Sequence, residues 1–412
     1  MKKIISLLVV GLTMSSIFAG GYRVALQGHR ALAMGHTGVA VVNSAELAFF
    51  NPSGLVFLEN KLNVSAGITL VESNIEYQNL DTGQTAVTDS PLGTPFHFYA
   101  SYAVTDWFSA ALAIYTPFGS SVEYPEDWAG SDLIESISLT SVYFNPLVSF
   151  KLTPEFSFGG GPIYAIGAVE VERNIGSAVN PETGERGGIN LKQDEGINNW
   201  GWVISSTFKP SESVYIGASY RSKIDLTAED GDVTYSNISI VSDDQEQTFS
   251  STLPLPAELS VGASVQISKK FLLAAEFTRQ YWAVYESLDF DFAFGADSTN
   301  RRDYQNSNIY SLGSQYDLNE KLTLRAGYYF DESPVQEGLY SPETPRTDGH
   351  GFTTGFTYNL NDKFAIDASF LYLYFPEVDE SFDSSPTDTV DAFTGSYNVN
   401  AIIGGLGITY SL

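Results

Sequence analysis

Side chains able to do chemistry are sparse in this sequence, and their spacing does not assemble a catalytic site. Cysteine is absent and histidine occurs four times, which leaves neither a disulfide framework nor thiolate chemistry. His29 and His36 stand two helical turns apart in a stretch rich in Gly and Ala. A metal pair there would need a helix and a further ligand, so packing is the expected role; His97 and His350 stand apart from them. No Gly-x-Ser-x-Gly elbow, phosphate-binding glycine loop or paired-cysteine motif occurs. The expectation is a protein that is not an enzyme, with no cofactor and no metal.

The charges that stand out lie in otherwise apolar, alternating segments: Arg221 and Lys223, Glu276, Arg325 and Asp331, and Asp367. Each falls on the small or polar parity of its segment. Arg221 and Lys223 share one segment with few acids near them. In a chain of net charge −28 such a pair suits a ligand carboxylate, which it would hold by charge-assisted hydrogen bonds. Glu276, Arg325 and Asp367 are expected to form an ion network between a wall and whatever that wall encloses. The negative field of the chain repels phosphate backbones, so nucleic acid is not expected as a partner.

The segments that must position these charges are strands. From about Lys61 to Leu412 the chain alternates with period two between turn signals. Fourteen strands are expected, starting near Leu62, Gly93, Trp107, Glu135, Glu155, Asn198, Val214, Leu253, Lys270, Tyr304, Lys321, Gly351, Lys363 and Tyr397. Six connections are tight and polar: Thr105-Asp106, Thr153-Pro154, Pro210-Ser211, Ser268-Lys269, Leu318-Asn319-Glu320 and Asn361-Asp362. The others are long. Short turns at one end and long loops at the other mark an outer-membrane barrel.

Two faces support that reading. In the last strand Leu406, Ile408, Tyr410 and Leu412 alternate with Gly405, Gly407, Thr409 and Ser411. Large apolar side chains outward and small or polar ones inward invert the pattern of a soluble barrel. Closure also removes edges that lipid would leave unpaired. The expected fold class is all-β, a fourteen-stranded antiparallel transmembrane β-barrel over residues 59–412, acting as a monomer in the outer membrane of a Gram-negative bacterium. More than half of the 49 acidic residues fall in the long loops, against Arg186, Lys192, Arg301, Arg302 and Arg346. Those loops are either simply solvated or meet divalent cations and anionic lipopolysaccharide.

Two N-terminal segments do not alternate. Residues 1–19 carry Lys2 and Lys3, an apolar run from Ile4 to Phe18 and a small-residue zone at Ala19-Gly20-Gly21, the order of a secretory signal peptide. Residues 20–58 are rich in Gly and Ala, with neither strand alternation nor a sustained helical stripe. A barrel of fourteen strands is wide enough to need either an open lumen or a plug, and 20–58 is the stretch available as an N-terminal hatch.

Particular segments carry a resemblance. Ala19-Gly20-Gly21-Tyr22 and Asn51-Pro52-Ser53-Gly54-Leu55, then Ala113-Ile114-Tyr115-Thr116-Pro117-Phe118-Gly119, then Leu253-Pro254-Leu255-Pro256-Ala257 with Trp282, and Leu324-Arg325-Ala326-Gly327-Tyr328 with Asp331-Glu332-Ser333-Pro334-Val335 occur in this order. Together they resemble the FadL/TodX family of outer-membrane transporters for long-chain fatty acids and other hydrophobic compounds, over nearly the whole mature length. The resemblance implies a hatch with Tyr22, Asn51, Pro52 and Gly54 in gating roles, diffusion-driven uptake and sideways release into the membrane. Ser53 stands where that family usually has Ala. The strand resembling its fifth, Tyr164 to Val169, has no basic residue, which leaves neutral hydrocarbons and other lipids open beside fatty acids.

The expected function is passive uptake of a hydrophobic small molecule, with a general porin for polar solutes or a surface adhesin as rivals. Tyr115, Phe118, Tyr124 and Trp128 are expected in the outer loops, where they would collect ligand or form the interfacial aromatic girdle. Ala113, Pro117 and Gly119 are expected to mark a lateral opening between strands two and three. Proline cannot donate to the ladder and glycine weakens pairing there; the bland alternative is that Pro117 only ends the strand.

Overall fold

The computed structural model describes residues 22–180, 184–238, 247–383 and 392–412; residues 1–21, with the expected signal peptide and its cleavage zone, lie outside them. Alternation builds one closed wall. Its strands are β1 Leu62–Gln78, β2 Phe96–Thr105, β3 Phe108–Tyr115, β4 Ser136–Lys151, β5 Phe156–Val179, β6 Asn198–Ser211 and β7 Val214–Arg221, then β8 Glu258–Ser268, β9 Phe271–Gln280, β10 Ser307–Asp317, β11 Leu322–Asp331, β12 Gly349–Asn359, β13 Phe364–Tyr374 and β14 Phe393–Ser411. Each pairs antiparallel with the next. β14 returns to β1 in register from Asn63 opposite Ser411 to Gln78 opposite Ser396. Phe352, Phe356, Leu406 and Ile408 are exposed on the outside, while Thr353, Thr357 and Thr409 are buried inside. No helix among the described residues is long and apolar enough to cross a membrane; strands do the crossing.

Several expected boundaries shift, each for a local reason. β8 starts at Glu258, not Leu253: Thr248–Leu255 pairs with Ile224–Ser236 above the wall, and Pro256, which has no N–H, separates the two ladders. Tyr304 precedes β10, and its hydroxyl sits 3.0 Å from Thr344 Oγ1. Tyr397 is inside β14, which begins at Phe393. Pro210 and Ser211 end β6, so the turn follows them. Above the wall, Ile224–Ser236 continues β7 after a break at Ser222-Lys223, and Gly119–Glu123 continues β3 after a break at Thr116-Pro117-Phe118.

Residues 22–58 lie within the ring and are almost wholly buried. They form two single-turn helices, α1 His29–Leu32 and α2 Leu47–Phe50, and a 3-10 segment Pro52–Phe57. α1 has no capping side chain of its own. Instead the Glu46 carboxylate accepts from the amides of Arg30 and Ala31, at 3.0 Å each, and so serves the open N-terminal donors of the helix. Gly28, at φ 75°, allows the chain to turn into α1, and a Cβ there would meet Glu46 Cδ at 2.5 Å.

The wall is shaped to seat this segment. A Cβ at Gly327 of β11 would come within 2.1 Å of Gly35 N, and one at Gly217 of β7 within 2.2 Å of Val39 O. Polar contacts complete the fit. Glu276 of β9 accepts from the amides of Gly38 and Val39 at 2.8 and 2.9 Å. Asn51 Nδ2 donates to Val39 O and to Thr207 Oγ1 of β6, and Ser53 O accepts from Ser149 of β4 and Ser157 of β5. Arg30 meets Asp367 of β13 at 2.9 Å.

Replacing Glu276 by Ala leaves two buried hatch amides without an acceptor, at a cost of about 1–3 kcal/mol for each. Hydrogen exchange at Gly38 and Val39 should accelerate by at least about tenfold while the β12 and β13 amides keep their protection. Unchanged exchange at these two amides would show that Glu276 does not hold the hatch.

Candidate functional site

The break in β3 is where the wall departs from regular pairing. Up to Tyr115, β3 is in register with both neighbours: Ala113 opposes Tyr99 of β2 and Asn145 of β4. Beyond it Thr116 Oγ1 still reaches Phe96 N at 3.2 Å, but the chain leading into β2 turns away and Gly93 bridges to Val71 of β1. The backbone freed by this divergence is met from inside. Val24 N donates to Pro117 O at 2.8 Å, and Gly119 N donates to Tyr22 O at 3.0 Å, with Arg23 and Phe118 as antiparallel bridge partners. Three residues of the N-terminal segment thus stand in for a missing strand, which accounts for a proline and a glycine at this depth.

An apolar cavity lies above. Leu139 of β4, Val169 and Val171 of β5, Leu226 in the continuation of β7, Phe249 and Phe290 line it, with Tyr22 at one side and Glu343 and Thr344 from the loop between β11 and β12 at another. Its free volume is 60 Å³, against roughly 300–1,000 Å³ for the site of a drug-sized ligand. At this size the cavity is too small for such a ligand. The adjoining loop is held by paired charges, Arg302 with Glu343 and Arg346 with Asp331 at 3.0 Å, and by Tyr124, whose hydroxyl donates to Pro342 O at 3.0 Å.

A second space of 1450 Å³ opens alongside the break. Phe96, Phe98, Ile114, Val142, Phe144 and Ile166 contribute apolar side chains to it, and acidic residues together with Arg186 and Ser, Thr and Asn side chains contribute to its rim. Phe98 faces outward and is exposed. Ile137, Ala168 and Val169 border both spaces, so only the upper ends of β4 and β5 separate the inner cavity from the outer groove.

The expected site residues separate accordingly. Arg221 and Lys223 do not form a pair. The break at Ser222-Lys223 reverses parity, so Arg221 turns inward, donating to Phe49 O at 2.9 Å with its guanidinium 4.4 Å from the Phe49 ring, whereas Lys223 is exposed and sits 2.9 Å from Asp225. Tyr115 is not in an outer loop: it is fully buried in β3 against Phe49 and Tyr143. Phe118 lies in the break, 6.1 Å from Tyr22. Tyr124 and Trp128 stack face to face at 3.9 Å, buried rather than offered to solvent.

Asn51, Pro52 and Gly54 lie at the contact between the hatch and β4 to β6. Arg325 donates to Gln315 and Thr357, and Asp367 joins Thr357, Thr409 and Arg30. Asp331 faces Arg346 of the neighbouring loop, not the hatch. His29 Nδ1 meets Ser369 at 2.9 Å and its ring packs on His97, and no metal-capable cluster occurs among the described residues. Sequence reasoning passed over the cavity lining. Its signal was present: Val169, Val171, Leu226 and Ala228 are apolar on the inward parity, where a water-filled lumen would be polar.

The comparisons agree with this geometry. The family described as "Outer membrane protein transport protein (OMPP1/FadL/TodX)" matches residues 10–412. Outer membrane protein P1 of Haemophilus influenzae is 23% identical over 97% of this chain and 94% of its own length. The long-chain fatty acid transport protein of Escherichia coli K12 is 19% identical over 81% and 83%. Among solved structures, a Pseudomonas aeruginosa FadL homologue superimposes with a TM-score of 0.81 at 18% identity, covering 95% of this chain and 99% of that one. The Pseudomonas putida toluene transporter TodX does so with a TM-score of 0.73 at 19% identity, covering 93% and 97%. The chain is an outer-membrane β-barrel and belongs to the OMPP1/FadL/TodX family of outer membrane transport proteins.

Proposed function

We propose that the protein mediates passive uptake of hydrophobic compounds, with the hatch as gate and the break in β3 as a sideways exit into the membrane. The observation that carries this reading is an apolar cavity and an outward-facing apolar groove that share Ile137, Ala168 and Val169 of β4 and β5, beside the break at Pro117. Relatives named for long-chain fatty acids and for toluene support a hydrophobic cargo. Closure of the barrel within one chain supports a monomer as the transport unit, and the acidic outer loops leave contact with lipopolysaccharide through divalent cations as a property of the surface. No catalytic step is proposed.

The physics favours sideways exit. Each methylene withdrawn from water contributes about 0.8 kcal/mol, so a long-chain ligand binds any dry groove readily and leaves into water slowly. An exit into lipid removes that penalty. Tyr22 to Val24 close the route from inside, because they occupy the backbone positions at the break.

Protein-dependent uptake of a labelled hydrophobe by cells, together with low single-channel conductance of the purified barrel, is the expected pair of results. Deleting residues 20–50 should turn the near-silent barrel into a conducting one. A high conductance to small ions in the full-length protein would instead indicate a porin.

The gate has its own test. Antiparallel partners sit roughly 4.5–5.5 Å apart at Cα, within the span of a disulfide, and the chain has no cysteine to interfere. Arg23→Cys with Phe118→Cys should therefore fasten the N-terminal segment to the break, suppress uptake, and release it on reduction. Undiminished uptake by the quantitatively bridged protein would remove the hatch from the exit step.

A further inference from the structure

The linings of the two spaces also bear on the charge of the cargo, an inference that rests on the transport reading above. The inner cavity has one charged side chain in its lining, Glu343, and Arg302 neutralises it. The other buried arginines near the route lie outside this lining: Arg23 pairs with Glu258 at 2.8 Å, Arg346 with Asp331 at 3.0 Å, and Arg221 donates to the Phe49 carbonyl. A carboxylate entering this cavity would meet no side chain of opposite charge in its lining, and burying an unpaired charge is strongly unfavourable.

The outer groove adds repulsion. Nine acidic residues and one base, Arg186, line it, and Arg186 is itself placed on Asp132. Lys192 holds Glu170 at 2.9 Å, whereas Glu123, Glu126, Glu135 and Glu172 have no ion-pair partner within 4.0 Å among the described residues. Burial, with the neighbouring Glu126 and Glu172 charges, holds the Glu135 carboxyl above the usual carboxylate range. Ser138, Thr140 and Ile166 lie in the same groove, so a molecule crossing from cavity to lipid travels beneath these carboxylates.

We propose that the route selects uncharged apolar molecules, and that Glu123, Glu126, Glu135 and Glu172 act as a charge filter against hydrophobes bearing a carboxylate or sulfonate. A cleft lined by one sign of charge changes local ion concentration by ~10-fold or more, and salt weakens the effect at exposed groups as the Debye length falls to about 10 Å at 0.1 M.

The test uses a matched pair of fluorescent probes, N-phenyl-1-naphthylamine and its anionic relative 8-anilino-1-naphthalenesulfonate, in cells with and without the full-length protein. Protein-dependent uptake of the neutral probe should exceed that of the anion by about tenfold or more. In the E123Q/E126Q/E135Q/E172Q variant that ratio should fall to about threefold or less, with neutral uptake within about twofold of the parent. Independently of the variant, raising ionic strength from about 0.01 to 0.3 M should speed anion uptake by the unmodified protein. Equal uptake of both probes, or a ratio and anion rate indifferent to both charge removal and salt, overturns the filter while leaving transport intact. Uptake of neither probe above the control cells overturns the transport reading itself, and the filter with it.

Discussion

In a bilayer no water is available to a peptide group, so every amide and carbonyl of the wall must find a partner within the protein, and each one left unpaired costs several kcal/mol. The closed ladder of β1 to β14 meets this demand almost everywhere. At Thr116-Pro117-Phe118 it does not, because β2 and the continuation of β3 diverge. The structure tolerates that divergence because Tyr22 and Val24 supply the missing hydrogen bonds from the lumen side. Wall and hatch are therefore one hydrogen-bonded system at this point, and the hatch cannot shift there without altering the wall.

The remainder of the hatch is fastened by a different kind of contact. Glu276, Asp367 and Arg221 are charged groups that bind hatch backbone or Arg30 directly, and bonds to charged partners are stronger than neutral ones, at about 1.5–3 kcal/mol each. Small residues make these contacts possible. Gly327 and Gly217 let hatch backbone approach the strands more closely than any Cβ would permit. Asn51 and Ser53 add a polar cluster shared by β4, β5 and β6. The hatch is thus held by charged contacts along its middle, and at its N-terminal end by the Arg23–Glu258 ion pair together with the neutral backbone bonds of Tyr22 and Val24.

The barrel was legible in the sequence because its two faces alternate without ambiguity, as in Gly405 to Leu412, and because turn residues separate the strands. The inward placement of Glu276, Arg325 and Asp367 followed from the same parity. Parity also misplaced Lys223, since a two-residue break between Arg221 and Ile224 reverses the faces and no local residue announces it. Tyr115, Tyr124 and Trp128 read from the sequence as outer-loop aromatics that collect ligand or form an interfacial girdle. What buries them is contact between distant segments, Phe49 against Tyr115 and Pro342 against Tyr124, which no single-strand pattern encodes. The proline and glycine of the β3 break pointed to a weak place in the wall, but the residues that mend it, Tyr22 and Val24, lie far away in the sequence.

The difference in fastening decides how much of the hatch a ligand can displace. A ring-sized hydrophobe burying roughly 200 Å² gains about 5 kcal/mol at 25 cal/mol per Å². Releasing residues 22–24 breaks two neutral backbone bonds at about 1 kcal/mol net each and the largely buried Arg23–Glu258 ion pair at up to about 3–5 kcal/mol, and the freed groups still need partners, water or ligand polar atoms in the opened gap. That total is comparable with the ligand's gain. Extracting the hatch as a whole would also break the contacts of Glu276, Arg30 with Asp367, Arg221 and the Asn51-Ser53 cluster, which together exceed it several-fold on the same scale. On the proposed uptake route, residues 22–24 are therefore the part of the hatch a small hydrophobe displaces most readily, with the body of the hatch staying in its seat.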